Sequence, residues 1–586
     1  MYEREYTMQR ICLTIAMISI LYFIGQTLEH KNDISSFEAT TYSISNATDD
    51  LENNPYNPVV YDKEQVTEHI CEEPRVFSLL YICRTIGKMM DNYESAALLA
   101  PPSLSYANTD WVESSYYTNL LSVRKDETFQ YDKVTEHCVL SQKVPFYYTL
   151  LHTISSIFGS LNFYRMGFVI NAIFLFLSSF FILAIGKKYL HAAWAGLAAA
   201  ILFSLCAGGI SATLCTTPYI MTIFFLLVNI YIHFAGITRN EIPAFALQAL
   251  VIVHICGNLT DYSYVLFQVI LGVIFSIVLL LYGRIKDFFY YLLANLIALV
   301  ITIVCYPSFL LHIATFFFET RKNFSNIIKD LQWQTLIRTN LTTVFSQISG
   351  SVTFVAAFIF ILFLFLAIFL KKETFRENLH SFIMRIQEYK ICDLLLCLIT
   401  VTYFLCIIVF CSEKNYFLLL TVTPFFILFL CYLFYRFCNA AIHSEFNSGI
   451  ISIIFVVLLS FITITTTTPK FLYTESLQYT NFAERNNQQY CLFLSSDTLS
   501  VKDHILELEK YEHSMVTTKE HLFSLKKNKA FLEQKQILLY LSNKDYVNSY
   551  MDKIAKFGKF EITNEITNYI DKSNHRVYIF QLSQLD

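Results

Sequence analysis

Long apolar runs without any charge constrain this chain more than any other feature of its sequence. Residues 174–185, 222–232 and 355–370 contain no Asp, Glu, Lys or Arg. A helix needs about 20 mostly apolar residues to cross roughly 30 Å of hydrocarbon, and each run with its flanks is that long. Only 15% of the 586 residues are charged, whereas soluble domains carry about 25%. The sequence therefore predicts a polytopic α-helical membrane protein.

About eleven transmembrane helices are predicted from these runs. The first covers residues 10–27 and lacks a small-residue cleavage site at its end, so we interpret it as an uncleaved anchor. An apolar stretch at 145–158 is too short to span and is interpreted as an interfacial or re-entrant helix. The other predicted spans lie at 165–186, 192–214, 217–237, 242–257, 262–282, 289–314, 350–370, 392–411, 416–435 and 449–467.

Lysines and arginines near the ends of the spans predict the orientation. An N-terminus in the cytoplasm places the basic residues at 187–188, 284–286 and 371–390 on the cytoplasmic side. The loop at 319–338 is an exception, because its basic residues then lie outside. Eleven spans deliver the C-terminal tail to the extracytoplasmic side. The expected location is the cell membrane, with a cytoplasmic N-terminus and an extracytoplasmic C-terminal domain.

Polar segments divide the chain into four predicted domains. These are an N-terminal transmembrane helix (1–27), an extracytoplasmic loop with interfacial helices (28–143), a multi-span membrane domain (144–467) and a tail (468–586). Within the tail, apolar runs at 490–494, 537–541 and 576–580 are predicted strands, and charged amphipathic stretches lie between them. This alternation is typical of a small α/β domain.

Charge and cysteine usage exclude several classes of function. The net charge is −4 and the basic residues form no cluster, so we expect no nucleic-acid partner. The 15 cysteines are scattered, without a C-x-x-C or His-rich spacing, and we predict neither a metal nor a cofactor. Cys71, Cys83 and Cys138 lie in the first loop, where an oxidising compartment permits a disulfide. The sequence leaves their pairing open.

Three polar stretches at the predicted outer face suggest a site for the headgroup of a lipid-borne substrate. They are the acidic segment 29–38, the segment 143–152 and the segment 258–264. A carboxylate such as Glu38 is suited to act as base on a hydroxyl. Lys143 is suited to hold a phosphate as a point charge. The tyrosines of the segments 143–152 and 258–264 are suited to stack on sugar rings.

These stretches resemble those of GT-C fold membrane glycosyltransferases, specifically the family 39-like branch of protein mannosyltransferases and bacterial aminoarabinose transferases. The matching residues are Phe37-Glu38, Lys143 to Tyr148 with His152, Phe158-Gly159 with Arg165, Thr217 to Tyr219, Leu259 to Tyr264, and Asn415-Tyr416 before Pro424.

The resemblance implies a GT-C-like fold and a reaction that moves a sugar from a polyprenyl-phosphate carrier to an extracytoplasmic hydroxyl. The expected partners are a polyprenyl-phosphate-linked sugar, membrane lipid, and a glycan or protein acceptor of unknown identity. The resemblance implies Glu38 as the catalytic base. The donor-binding residues that it implies are Lys143, Tyr147, Tyr148, His152, Tyr219, Asp261, Tyr262, Tyr264, Lys414 and Tyr416.

Five polar or charged positions of the family pattern differ in this chain, and they leave alternatives open. The changed positions are occupied by Phe37, Lys143, Thr217, Asp261 and Asn415. One interpretation is a specialised enzyme, with Glu38 as base and a lysine supplying the positive charge. Another is a non-catalytic protein that binds a lipid-linked glycan or scaffolds cell-envelope assembly. A secondary transporter is disfavoured, because paired broken helices in two related halves are not evident.

Each candidate residue also has a purely structural interpretation. Glu38 would be a solvated loop acid, and Lys143 a lysine that extends to the membrane interface. The aromatic residues of 147–152 would form an interface belt. Asp261 either faces a cavity at membrane depth or caps the helix that follows it.

Overall fold

The computed structural model describes residues 2–46, 111–159, 163–314, 333–350, 391–410, 416–442, 444–471, 473–496, 499–518, 522, 525–526, 528–542, 560–572 and 574–584. The chain divides into two compact units. The helical unit comprises Met1–Glu29 and Gly167–Phe471, and the sheet unit comprises His30–Met166 and Leu472–Asp586. Each unit is therefore assembled from two segments that are far apart in sequence.

Apolar helices build the helical unit, and the protein is a multi-pass membrane protein. Among the described residues, seven helices are long and apolar enough to cross a membrane, or eight if one bent pair counts as a span. The helices of this unit are Tyr2–Glu29, Phe163–Lys188, Ala193–Leu205, Ala207–Leu214, Tyr219–Ile237, Ala244–Asn258, Tyr262–Leu281, Ile285–Cys305, Trp333–Ser349, Ile391–Phe410, Tyr416–Leu420, Thr423–Ile442 and Glu445–Phe471.

The predicted number of eleven spans stays a prediction, for identifiable reasons. The predicted span 192–214 is the bent pair, whose two helices meet at 52°. The predicted span 242–257 corresponds to the helix Ala244–Asn258, and 416–435 overlaps the apolar stretch Thr423–Asn439; both are shorter than the other spans. The predicted span 350–370 lies almost wholly outside the described residues.

The bend in the pair arises at Cys206, where the backbone is extended and the first helix ends. The thiol of Cys206 then accepts a hydrogen bond from Gly209 N at 3.2 Å and caps the second helix. A Cβ at Gly209 would lie 2.0 Å from the carbonyl oxygen of Phe203, so only glycine fits this tight junction.

Lipid-facing surfaces are evident on the peripheral helices. Along Ile285–Cys305, apolar side chains such as Phe289, Leu296 and Val304 are more than half exposed. In water such a surface would be unfavourable, whereas a bilayer solvates it at no cost. The amphipathic pattern is therefore inverted here, with small residues such as Ala294 and Ala298 facing the protein interior.

A six-stranded mixed sheet forms the core of the sheet unit. Its strands are β1 (Val112–Glu113), β2 (Tyr490–Ser495), β3 (His513–Thr518), β4 (Gln536–Leu541), β5 (Phe560–Ile570) and β6 (Arg576–Gln584). The order across the sheet is β1-β3-β2-β4-β6-β5, with β2 parallel to both β3 and β4 and the other pairs antiparallel. The three apolar runs predicted as strands are β2, β4 and β6. The edge strand β1 comes from the first loop.

Near-continuous apolar sequence explains why β2 and β4 lie at the centre. Four consecutive residues of β2 and five of β4 are buried, as expected for strands covered on both faces. Their side chains join those of β3 and β6 in one core, which includes Leu492, Met515, Ile537, Leu539 and Leu582. Burying an aliphatic side chain contributes about 1.5–3 kcal/mol, so this cluster is a major source of stability for the unit.

The sheet unit also contains several short helices. They are Ser36–Asn46 (the Glu38 helix), Ser114–Leu121, Tyr131–Leu140, Phe146–Ile157 (the re-entry helix), Ser476–Arg485, Val501–Asp503 (a 3₁₀ turn), Ile505–Leu508 and Lys529–Leu532. The helices from the first loop share a small apolar core made of Ile44, Val134, Cys138 and Tyr148. Cys138 is a free thiol, and burial raises its pKa. Cys71 and Cys83 lie outside the described residues.

Candidate functional site

Glu38 occupies the third position of a capping box at the start of its helix. Its Oε2 accepts a hydrogen bond from Ser35 N at 2.9 Å, and Glu38 N donates to Ser35 Oγ at 3.3 Å. This reciprocal pair satisfies two backbone donors at the helix N-terminus. The Ser-x-x-Glu spacing therefore explains why the Glu38 side chain is held at this position, where it is fully buried.

Lys31 is the direct ionic partner of Glu38, and the sequence interpretation missed it. Its Nζ lies 2.6 Å from Glu38 Oε1, and both side chains are buried. Removing two charges from water costs several kcal/mol per ion, so a buried pair persists only with good geometry and further hydrogen bonds. The only sequence signal was a lysine in the polar segment before the helix, which is common near the end of a span.

Asp33 connects the same segment to the C-terminal tail. Its Oδ2 lies 2.8 Å from Ser476 Oγ, 3.1 Å from Tyr479 OH and 3.1 Å from Lys572 Nζ. Its Oδ1 accepts from Ile34 N at 2.8 Å. Burial raises the pKa of Tyr479, and the negative charge of Asp33 raises it further. The phenol therefore stays protonated and donates to the carboxylate.

The re-entry helix packs against the Glu38 helix inside the sheet unit. His152 Nδ1 lies 2.7 Å from the carbonyl oxygen of Ser45, to which it donates, and Nε2 accepts from Gln130 N at 3.1 Å. One nitrogen donates and the other accepts, which fixes a neutral tautomer. Burial lowers the pKa of His152 in agreement with that assignment.

Tyr147 and Tyr148, which were predicted to contact the donor sugar, are packed inside the sheet unit. Tyr147 is 0% exposed and Tyr148 is 3% exposed. Tyr148 belongs to the same apolar core as Ile44 of the Glu38 helix. Tyr148 and His152 thus join the re-entry helix to the Glu38 helix. The sugar contact of both tyrosines stays a prediction.

Lys143 is exposed just before the re-entry helix, and its N–H donates to Cys138 O at 2.8 Å. Lys502 contributes a second positive charge nearby. The pKa of Lys502 is lowered to about 8, first by burial and then by the charge of Lys143. Lys502 belongs to the 3₁₀ turn Val501–Asp503, which packs against the Glu38 helix. Nothing in the sequence singles out Lys502, because it lies in an ordinary charged stretch of the tail.

Asp261 is the N-cap residue of the helix Tyr262–Leu281. Its Oδ1 accepts from Ser263 N at 2.9 Å and also from Ser263 Oγ. Asp261 therefore caps this helix, as its structural interpretation predicted, and its contact with the donor stays a prediction. The neighbouring Tyr262 OH lies 2.7 Å from His312 Nδ1.

Tyr264 lies within a polar network that joins four helices of the helical unit. Its OH accepts from Asn229 Nδ2 at 3.1 Å, and Asn229 Oδ1 lies 3.4 Å from His254 Nε2. Gln268 continues the network by donating to His254 and to Asn295. Side-chain hydrogen bonds of this kind stabilise helix association within membranes.

The remaining candidates also belong to the helical unit. Tyr219 is 8% exposed and stacks on Phe417 with ring centroids 6.0 Å apart. Tyr416 begins the helix Tyr416–Leu420, and Lys414 lies outside the described residues.

The structure thus groups Glu38, Lys143, Tyr147, Tyr148 and His152 in the sheet unit, and Tyr219, Asp261, Tyr262 and Tyr264 in the helical unit. Within the described part of the chain, no group of three or more His, Cys, Asp and Glu side chains is arranged to hold a metal ion.

No family model and no curated protein matches the chain. Solved structures do match. The crystal structure of ArnT from Cupriavidus metallidurans bound to undecaprenyl phosphate is 10% identical in sequence, covers 97% of this chain and 97% of its own, and has a TM-score of 0.46. The apo crystal structure of ArnT from the same organism is 9% identical, covers 85% of this chain and 98% of its own, and has a TM-score of 0.44.

Proposed function

We propose that this protein is a membrane glycosyltransferase of the GT-C type, which moves a sugar from a polyprenyl-phosphate carrier to an acceptor hydroxyl. The observation that supports this most directly is the packing of the Glu38 helix against the re-entry helix. Two of the three polar stretches assigned to one site by the sequence are thereby in contact. A buried lysine also stands beside the only carboxylate assigned as base.

The proposed reaction requires a base and a positive charge. Glu38 takes the proton of the acceptor hydroxyl while the hydroxyl oxygen forms a bond to the anomeric carbon of the sugar. The bond from that carbon to the phosphate oxygen breaks, and polyprenyl phosphate leaves with the bonding electron pair. Lys31 occupies Glu38 Oε1 in this structure, so the acceptor hydroxyl must displace its ammonium group. The displaced ammonium is then available to the leaving phosphate, in addition to Lys143.

A specific observation favours a second candidate function, the binding of a lipid-linked glycan without catalysis. Glu38 is fully buried and completes a capping box, and three predicted sugar-contacting residues of the re-entry helix are packed in the core. A structural role accounts for each of these contacts. The two functions predict different behaviour of the bound lipid, which makes them separable.

The first test compares lipids that copurify with the wild-type protein, Glu38→Gln and Glu113→Gln, identified by mass spectrometry. Glutamine preserves the capping box but leaves the buried Lys31 ammonium without its counter-charge, so the unfolding temperature of Glu38→Gln is measured first to establish that it is folded. The exposed Glu113 supplies a matched control. We expect a polyprenyl-phosphate sugar to be enriched on Glu38→Gln only, because that variant binds the donor without consuming it. Equal amounts on all three proteins would favour the binding function, and no such lipid on any of them would contradict both.

The second test measures turnover directly. Purified protein receives undecaprenyl phosphate carrying a radiolabelled hexose or aminopentose, with a cell-envelope extract as acceptor. Loss of a general base typically costs about 10²–10⁴-fold in rate, and we expect a loss in that range for Glu38→Gln and none for Glu113→Gln. Transfer by Glu38→Gln at the wild-type rate would refute the assignment of the base.

A further inference from the structure

The segment 30–35, between the first helix and the Glu38 helix, is unusual because its charges are buried. Loops normally lie at the surface, where water satisfies their polar groups. Here Lys31 is 6% exposed, Asp33 is 2% exposed and Ile34 is fully buried. The partners that satisfy these groups therefore determine the conformation of the segment.

Lys572 of the tail provides two of those contacts. Its Nζ lies 3.1 Å from Asp33 Oδ2 and donates a hydrogen bond to the carbonyl oxygen of Ile34. The ring of Tyr473, also from the tail, lies about equally far from the ammonium groups of Lys31 and Lys572, at 5.9 and 6.0 Å from its centroid. The tail thus supplies an aromatic face to both cations of this region, while their acceptors are Glu38, Asp33 and the Ile34 carbonyl.

The Ile34 carbonyl and the Ser35 N–H belong to one peptide group. A peptide group is planar and trans, so its carbonyl and its N–H point in opposite directions and cannot turn independently. The carbonyl receives Lys572, and the N–H donates to Glu38 Oε2 at 2.9 Å. A cation on the carbonyl also polarises the peptide and strengthens its N–H as a donor. Lys572 is therefore linked to the Glu38 carboxylate through a single rigid group.

Lys572 is itself held firmly, within the turn between β5 and β6 (residues 571–575, the lysine turn). Asp571 Oδ1 accepts from His575 N at 2.7 Å, and Asp571 N donates to His575 O at 2.8 Å. Asp571 also lies 3.6 Å from Nε2 of the buried His504. The sheet thus fixes the turn, and the turn fixes the lysine.

We propose that Lys572 is a positioning residue for the transferase reaction, which holds the Ile34–Ser35 peptide and through it orients the carboxylate of Glu38. This inference rests on the function proposed above. It assigns the C-terminal tail a role in the reaction, although Lys572 is 538 residues away from Ile34 in sequence. Lys572 acts through Glu38 and need not touch the substrate.

The test compares Lys572→Met with Lys535→Met, which removes an exposed lysine of the same tail. Rates are measured with the full-length protein at varied concentrations of labelled undecaprenyl-phosphate sugar. Small misplacements of a catalytic group typically cost about 10-fold to 100-fold. We expect Lys572→Met to lower kcat about 10-fold with the donor KM within about twofold of wild type. Lys535→Met should match wild type, and Lys572→Arg, which retains charge and donors, should recover most of the loss.

A double-mutant cycle separates positioning from general structural support. If Lys572 acts through Glu38, then Lys572→Met should change the residual rate of Glu38→Gln by less than about twofold. Equal losses in both backgrounds, or a rate for Lys572→Met equal to that of Lys535→Met, would overturn the inference.

A second variant covers the case in which Lys572→Met does not fold. Asp33→Asn retains an acceptor for Ser476 but removes the charge that faces Lys572, and we expect a loss of kcat of about threefold that disappears in the Glu38→Gln background. A wild-type rate for Asp33→Asn would then overturn the inference. No turnover by wild-type protein would overturn the proposed function and this inference together, whereas wild-type turnover that is insensitive to Lys572 and Asp33 would overturn the inference alone.

Discussion

At the scale of single residues, the sheet unit contains a cluster of buried ionisable groups around His504. His504 Nδ1 lies 2.8 Å from Glu507 Oε2, and Nε2 lies 3.6 Å from Asp571 Oδ2. Burial by itself would lower the pKa of His504, but Asp571 and Glu507 outweigh it and raise the pKa to about 9. The imidazole is therefore charged at neutral pH, and its charge stabilises the fold.

This raised pKa predicts a loss of stability at alkaline pH. The pKa of His504 is higher in the folded state than the ordinary value of 6.5, so its contribution is complete below pH 6.5 and is lost as pH rises through about 9. A shift of that size corresponds to a free energy on the order of 3 kcal/mol. Asp571 has a lowered pKa, so its own contribution is lost only in acid.

The measurement is the unfolding temperature of the solubilised protein between pH 6 and pH 9.5. We expect it to fall across that range in the wild type and much less in His504→Gln, which has no titrating ring. His513→Gln is the matched control, since His513 lies in the same sheet unit with its ring stacked on Tyr490. An identical slope for wild type and His504→Gln would show that another group controls the alkaline transition.

The chemistry of single residues was predictable only where it is local. The spacing of Ser35 and Glu38 is a capping-box signature that the sequence displays directly, and Asp261 as an N-cap was an open alternative. The partners of Asp33 were not predictable, because Ser476 lies 443 residues further along the chain. Nothing in either local sequence indicates that these two side chains meet.

At the scale of elements, close backbone contact joins the helices Phe163–Lys188 and Ala193–Leu205. A Cβ on Gly186 would lie 2.5 Å from the Cα of Gly196. Small residues allow helices to approach this closely in membranes, where packing replaces the hydrophobic effect as the main attraction. The pair of glycines therefore sets the distance between these two helices.

Gly186→Ala should destabilise the helical unit, because the new methyl group meets backbone atoms that cannot move aside separately. Overpacking of this kind costs about 1–3 kcal/mol. Gly25→Ala is the matched control, since a Cβ there would meet only the Phe168 ring at 3.6 Å, an ordinary contact. Thermal unfolding in detergent should show a lower midpoint for Gly186→Ala than for Gly25→Ala. Equal midpoints would mean that the helices separate without cost.

Strands were predictable from the sequence where both of their faces are buried. The apolar runs that became β2 and β4 are buried on both faces and carry a strong signal. β1 was missed because a two-residue strand has no periodicity to detect. The division of 192–214 into two helices was missed because its residues are apolar throughout, and only the packing at Cys206 and Gly209 shows the bend.

At the scale of the whole molecule, the sheet unit depends on both of its segments. Tyr117 of the first loop is fully buried, and its OH lies 2.5 Å from Ser514 Oγ of β3. Trp111 donates to Ala530 O at 3.1 Å and packs against Tyr490 and Phe531. A tail without the first loop would expose apolar surface and lose these hydrogen bonds.

A fragment consisting of residues 473–586 alone should therefore fail to fold cooperatively. The same fragment preceded by residues 111–140 through a flexible Gly/Ser linker regains β1, Trp111 and Tyr117, and should unfold at a higher temperature with a sharper transition. Circular dichroism during heating measures both. A cooperative transition of the isolated tail at the temperature of the linked fragment would show that the first loop contributes nothing to its fold.

The two-segment origin of the sheet unit also restricts the number of times that the chain can cross the membrane. Residues 30–166 precede the helices of Gly167–Phe471, and the tail follows them, yet both segments form one folded body. They must then lie on the same side of the bilayer, because a folded sheet cannot extend across the hydrocarbon with its edges unpaired. The chain between them must cross the membrane an even number of times. The ten spans predicted there satisfy this rule, and adding or removing a single crossing would place the two halves of the sheet on opposite faces of the membrane.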